Sequence, residues 1–191
     1  IMFKKARRFT RSEMMVMEML STNEWKRPIY FAVTIGSDYH LGLDPYLELT
    51  GLAYRITPQR SPDGRPRVNT EVMYDNMMNK FKYGNMNVPG IYIDETTMRM
   101  CATHRMMFSQ LAEALYNEGK YDKALNVLDY AEKMLPGYNI PYDHNSLSMA
   151  SLYYAMDEMD KGNAIMSKVA DNSVEYLQWG DSLDKEQRKA V

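Results

Sequence analysis

Short apolar runs bounded by proline and glycine fill the first half of the chain, whereas apolar residues three and four apart fill the second. Thr10-Arg-Ser-Glu13 is a capping box, and the helix it predicts runs through Met14, Met15, Val16, Met17 and Met19 to the polar stop Ser21-Thr22-Asn23. Pro28 precedes Ile29 to Val33, a β-branched and aromatic run too short for a helix, which reads as a buried strand ended by Gly36. Leu43 to Leu49 reads as helical, and Leu52 to Thr57 as a second strand halted by Pro58. That order predicts a β-α-β unit with parallel strands. Asn69 or Thr70 caps a helix reaching Phe81. Pro89-Gly90 is a turn, Ile91 to Ile93 an extended piece, and Asp94 the cap of the next helix.

Beyond Asp94 the pattern is helical to the end. Phe108, Leu111, Ala112, Leu115, Gly119, Tyr121, Ala124, Leu128, Ala131 and Pro136 fall on the frame of a repeat of roughly 34 residues, the tetratricopeptide hairpin, which this segment resembles. The chemistry fits the spacing. Small Ala112, Ala124 and Ala131 let two helices approach, Gly119 makes the tight turn, and Pro136 stops the second helix. Met159-Asp-Lys-Gly162 aligns with Tyr121-Asp-Lys-Ala124 and brings Met149, Ala150, Tyr153, Met166 and Val169 onto the same frame, a degenerate second copy that has Asp157 at the turn-glycine position. Ser173 to Leu183 reads as a third helical piece capping the stack.

The expected fold class is therefore α+β, predominantly α: a small β-α-β layer in residues 1–93, then tetratricopeptide-like antiparallel hairpins in 94–191, packed as one compact body. In such hairpins the first helix lines a concave groove. Its groove-facing positions are Met106, Ser109, Glu113 and Tyr116 in one copy, and His144, Leu147, Ser151 and Tyr154 in the next. The strip suits an extended peptide or protein partner; the alternative is that the amino-terminal half fills it, since short arrays need covering.

Composition narrows the chemistry. A net charge of −2 with 25% charged residues removes the electrostatic footprint of general nucleic-acid binding. The basic loop Arg55, Arg60, Arg65 and Arg67 has only Asp63 between its ends. Residues 1–109 hold 15 basic against 11 acidic groups, a polarity that either faces anionic headgroups or is a solvated surface. No apolar stretch approaches the roughly 20 residues of a spanning helix, and the opening Ile-Met-Phe-Lys-Lys reads as part of a longer protein. The single Cys101 excludes an internal disulfide and a Cys-only zinc site. Cys101 and His104, flanked by Met98 and Met100, have the softness for Cu(I) but fall short of a complete ligand set, so no metal or other cofactor is expected. There is no Gly-x-Ser-x-Gly elbow or phosphate loop, and no residue is assigned a catalytic role. The 18 methionines outnumber the 15 leucines; Met14, Met17, Met73, Met77, Met134, Met149 and Met166 fall at core spacings, as flexible fillers between unequal helices.

The segments Asn23-Glu-Trp-Lys-Arg-Pro-Ile-Tyr-Phe31, Gly51-Leu-Ala-Tyr-Arg55, Met73-Tyr-Asp-Asn-Met-Met78 and Val127-Leu-Asp-Tyr-Ala-Glu-Lys-Met134 resemble the carboxy-terminal soluble region of a family of large bacterial membrane proteins. The spanning part of that family is related to lipid-linked-sugar glycosyltransferases of the protein O-mannosyltransferase type. The resemblance implies that sugar transfer belongs to the spanning part and that this segment is a non-catalytic accessory domain. It would sit on the extracytoplasmic, periplasmic face of the inner membrane, reaching the membrane only through helices upstream of it. Its partner would be an acceptor protein, another subunit or the membrane-embedded part of the same chain. The alternative is a free-standing tetratricopeptide-type interaction scaffold.

Overall fold

The computed structural model describes residues 9–184. The chain divides into two compact units, Ile1–Lys80 and Phe81–Val191. The boundary falls before the expected 93/94, because the segment after Phe81 is tied to the helical unit. Tyr138 Oη donates to Asn87 O (2.7 Å), and Asn139 Nδ2 donates to Met86 O and Val88 O (2.8 and 2.7 Å).

The first unit opens with α1 (Arg11–Asn23), started by the expected Thr10 capping box and ended at Glu24 in the left-handed region. Four short strands follow: β1 (Tyr30–Ala32), β2 (Leu47–Leu49), β3 (Ala53–Ile56) and β4 (Arg67–Val68), in the order β1-β3-β2-β4. The parallel β-α-β unit is not formed. β1 and β3 pair antiparallel, as do β2 and β3, while β2 and β4 are parallel. The expected helix Leu43–Leu49 is a 3-10 turn, Asp44–Tyr46, running directly into β2. Leu47 and Leu49 alternate with Glu48, so two-residue periodicity buries both leucines while Glu48 faces outward. The Ile29 to Val33 run lies at the edge of the sheet, where only Phe31 of the three β1 residues is buried. Phe31, Leu41, Leu43, Leu47 and Ile56 form the core, covered by Val16, Met17 and Leu20 of α1. On the outer face Tyr30, Arg55, Glu48 and Arg67 stand in register across the four strands. Helix α2 (Thr70–Asp75), capped by Asn69, continues as a π turn through Lys80.

The second unit holds α3 (Glu95–Asn117), α4 (Tyr121–Met134), α5 (Leu147–Ala155) and α6 (Met159–Ser182), so the fold is α+β and predominantly α. Asp94 caps α3 through Thr96 N and Thr97 N. Helices α3 and α4 pack as one hairpin, α5 and α6 as another. Phe108, Leu111, Ala112, Leu115, Ala124, Val127, Leu128 and Ala131 are buried in the first. In the second, Gly162 is buried beneath Tyr154, whose ring occupies the space a Cβ would need. The piece expected separately at Ser173 to Leu183 is continuous with α6, which outruns α5 and leaves Val174, Tyr176, Leu177 and Trp179 exposed. Met73, Met77 and Met149 are buried as expected, but Met14 and Met166 are 60% and 40% exposed. Met107, at 1%, takes a core place that the spacing did not single out.

Both hairpins turn in the same way. Gly119 (φ 75°) donates to Tyr116 O and Lys120 N donates to Leu115 O, each at 2.9 Å. Asp157 (φ 64°) donates to Tyr154 O (3.1 Å) and Glu158 N to Tyr153 O (2.9 Å). An L-residue in this conformation costs about 1 kcal/mol that glycine does not. Asp157→Gly is therefore expected to raise stability by a few tenths to about 1 kcal/mol and Gly119→Ala to lower it by about 1 kcal/mol, read from urea-unfolding midpoints.

Candidate functional site

The second unit carries a cavity of about 580 Å³ whose walls include Asp129 and Glu132 of α4, Tyr142 from the α4–α5 connection, Tyr153 of α5, and Lys161, Ile165 and Lys168 of α6. Behind its Tyr142 wall lies a buried charge. Arg105, on α3, is 2% exposed. A guanidinium in so dry a place needs acceptors; the two terminal nitrogens of Arg105 have them, while its Nε is buried without one. Arg105 Nη2 donates to Leu135 O and Ile140 O (2.8 and 2.7 Å), and Nη1 to Pro141 O (3.0 Å) and Ser146 Oγ (3.4 Å). Those acceptors all lie where the chain leaves α4 and returns to α5, so one side chain folds that connection. The Tyr142 ring covers the guanidinium at 4.6 Å, and its hydroxyl donates to Glu132 Oε2. Gly137 is what admits the ring, because a Cβ there would collide with it.

Beside this stands a second network. Tyr153 Oη donates to Asp129 Oδ1 at 2.9 Å, and Lys161 Nζ bridges both Asp129 oxygens at 2.9 Å each. Burial and the Asp129 carboxylate push the Tyr153 phenol far up, burial and the Glu132 bond do the same to Tyr142, and the Asp129 bond raises Lys161. The phenols are thus held protonated and the amine charged. Burial also raises Glu132, against the Tyr142 bond and the Arg105 charge, while burial lowers Arg105.

The strip expected to line a groove is partly dispersed. Ser109 is buried, its hydroxyl spent on Arg105 O (3.2 Å). Met106, Tyr116 and Tyr154 are half-buried, and Glu113, His144, Leu147 and Ser151 are exposed. Ser151 Oγ donates to Leu147 O (2.9 Å), while Tyr154 Oη donates to Asn163 Oδ1 (2.9 Å). Tyr116 Oη reaches Ala155 O at 3.4 Å, which brings Tyr116 and Tyr154 to the same end of the two hairpins. The cavity residues escaped the predicted groove strip, which follows one face of the first helices, whereas the cavity uses α4, α6, a loop and Tyr153 from another position of α5. The available signal was Asp129 and Glu132, two acids three residues apart on a helix whose other side is apolar.

Cys101 lies buried against Met86 Sδ (3.9 Å), and burial raises its thiol. His104 Nδ1 is 2.6 Å from Met100 O. Among the described residues, no three His, Cys, Asp or Glu side chains gather in a metal-binding group. In the first unit Arg67 is half-buried and pairs with Glu48 (3.2 Å), whereas Arg55, Arg60 and Arg65 are exposed.

Two expectations follow for the site. Arg105→Ala strands the buried carbonyls of Leu135 and Ile140 and is expected to destabilise the chain by about 3 kcal/mol in chemical denaturation, with Arg105→Lys falling between because an ammonium cannot span both sides of the loop. The raised Glu132 carboxyl makes its folded form favour the proton. Its contribution is complete below the ordinary glutamate range and is lost as pH rises through the raised value. Glu132→Gln should flatten the stability slope over that window, in unfolding curves recorded from pH ~4 to ~7.

Among the described residues, no helix is long and apolar enough to cross a membrane. Comparison with curated proteins and with solved structures returns no match. The model of TMEM260-associated domain 2 matches residues 1–75, so the amino-terminal unit is similar to a domain of a membrane-protein family.

Proposed function

We propose that the chain is a non-catalytic accessory domain of a membrane glycosyltransferase-like protein of the O-mannosyltransferase type. It lies on the extracytoplasmic face and presents tetratricopeptide-like hairpins to an acceptor protein, a partner subunit or the membrane-embedded part of its own chain. The match of residues 1–75 to TMEM260-associated domain 2 carries the membrane-protein part of this reading. The two hairpins with left-handed turns at Gly119 and Asp157 support the repeat part. The chemistry of the cavity supports binding over catalysis. Its tyrosines are held as phenols and Lys161 as ammonium, the opposite of what a nucleophile or general base at neutral pH needs.

The test is made on the parent protein. Its reading frame is expected to encode several apolar segments of about 20 residues before Ile1, and a protease site placed after Val191 should be cut in intact spheroplasts. A frame without such segments, or protection of that site from cleavage, would sink the membrane placement and leave the free-standing scaffold. Tyr116→Ala with Tyr154→Ala should weaken crosslinking of the hairpins to their polypeptide partner about tenfold, since buried aromatic anchors carry much of such contacts. Unchanged crosslinking would exclude that end of the hairpins as the contact.

A further inference from the structure

The connection between α1 and β1 holds its chain in an unusual shape. Glu24 and Trp25 are both left-handed (φ 47° and 60°), a costly conformation for a residue as bulky as tryptophan. Asn23 enforces it: its Nδ2 donates to Arg27 O (2.7 Å), its Oδ1 accepts from Arg27 N (3.2 Å), and its carbonyl accepts from Lys26 N (2.9 Å). The result places Trp25 outside the core, 56% exposed, next to exposed Lys26 and Arg27.

The sheet brings further cations to the same place. Tyr30 pairs with Arg55 and the strands are antiparallel, so the chain before Tyr30 and the chain after Ile56 leave the sheet at one end. Arg27 belongs to the first and Arg60 and Arg65 to the second, while Arg55 lies on the outer face beside them. The acids nearby are engaged within the unit. Glu24 pairs with Lys26 (2.5 Å), Asp44 accepts from His40 Nδ1 (2.8 Å), and Glu48 holds Arg67 and Asn69. Asp63 takes the Ser61 hydroxyl and Arg65 N, bonds that lower its carboxyl. Arg27, Arg55 and Arg60 form no ion pair among the described residues.

We infer that this end of the first unit is a docking surface for an anionic lipid bilayer, with Trp25 seated at the headgroup level and Arg27, Arg55, Arg60 and Arg65 facing lipid phosphates. An exposed tryptophan on a clamped turn flanked by cations is the arrangement that interfacial anchoring uses, apolar ring and positive charge together. Tryptophan and arginine also anchor protein interfaces, so an acidic polypeptide is the competing occupant that the test must separate from a bilayer. The inference stands apart from the accessory-domain reading, because it is tested on this chain alone.

The experiment mixes the 191-residue chain carrying Trp179→Phe, which leaves Trp25 as the remaining tryptophan, with vesicles of phosphatidylcholine alone or with added phosphatidylglycerol. Cosedimentation is expected only with phosphatidylglycerol, with a blue shift of Trp25 emission and release by salt. Arg27→Ala and Arg60→Ala should each weaken binding about fivefold. Lys133→Ala, an exposed cation of α4, should leave it unchanged. Equal binding to both vesicles, no blue shift, or indifference to the two arginine variants overturns the inference. Retention on immobilised polyglutamate without vesicle binding also overturns it, and assigns the surface to an acidic polypeptide.

Discussion

The guanidinium of Arg105 sets the geometry of the helical unit. A buried cation is costly unless its donors find acceptors, and the carbonyls that meet Nη1 and Nη2 of Arg105 belong to a connection that would otherwise be an irregular loop between two hairpins. Satisfying one charge therefore bends Leu135 to Pro141 back over α3. It also brings Tyr142 onto the guanidinium and sets Glu132 under the Tyr142 hydroxyl. The cavity walls, the raised Glu132 and the approach of α5 to α3 all inherit their positions from that arrangement. The Asp129–Lys161–Tyr153 network is more exposed on its lysine side and depends less on burial.

Much of this was legible in the sequence. Caps at Thr10, Asn69 and Asp94 are local chemistry, a side-chain oxygen meeting free N–H groups within three residues, and each starts its helix in the structure. The hairpins are legible for a related reason, since close helix contact demands alanine and glycine at fixed spacing. Strand pairing is not local. Leu43 to Leu49 holds apolar residues at spacings compatible with either period, and only the partners on both sides of β2 decide the outcome. The same lack of non-local information hid Arg105, which reads in sequence as one more polar residue on a long helix. Of the residues read onto the groove, Tyr116 reaches the backbone of Ala155, next to Tyr154, while Ser109 is spent on the backbone of its own helix.

The two units differ in what they offer a partner. In the second, the interior charges are met within the unit, Asp129 by Lys161 and Arg105 by backbone carbonyls under Tyr142, and the overhanging end of α6 exposes Val174, Tyr176, Leu177 and Trp179. In the first, which carries the similarity to a membrane-protein domain, Arg55 on the outer face of the sheet and Arg27 and Arg60 at one end have no ion pair among the described residues. Neutralised interior polarity and unneutralised surface charge do different work: one fixes a shape, the other waits for an opposite charge.

The place of β1 has a further consequence. Ile29 to Val33 is the most β-prone run of the chain, and it lies at a sheet border with Phe31 alone turned inward. An open border strand is a template on which another molecule can polymerise. Two features limit that hazard: the strand has only three residues, and Pro28, which has no N–H to offer an incoming chain, stands just before it. Conditions that loosen α1 from the core would uncover Phe31 and remove part of this protection, so loss of the capping box at Thr10 should register as insolubility before it registers as unfolding.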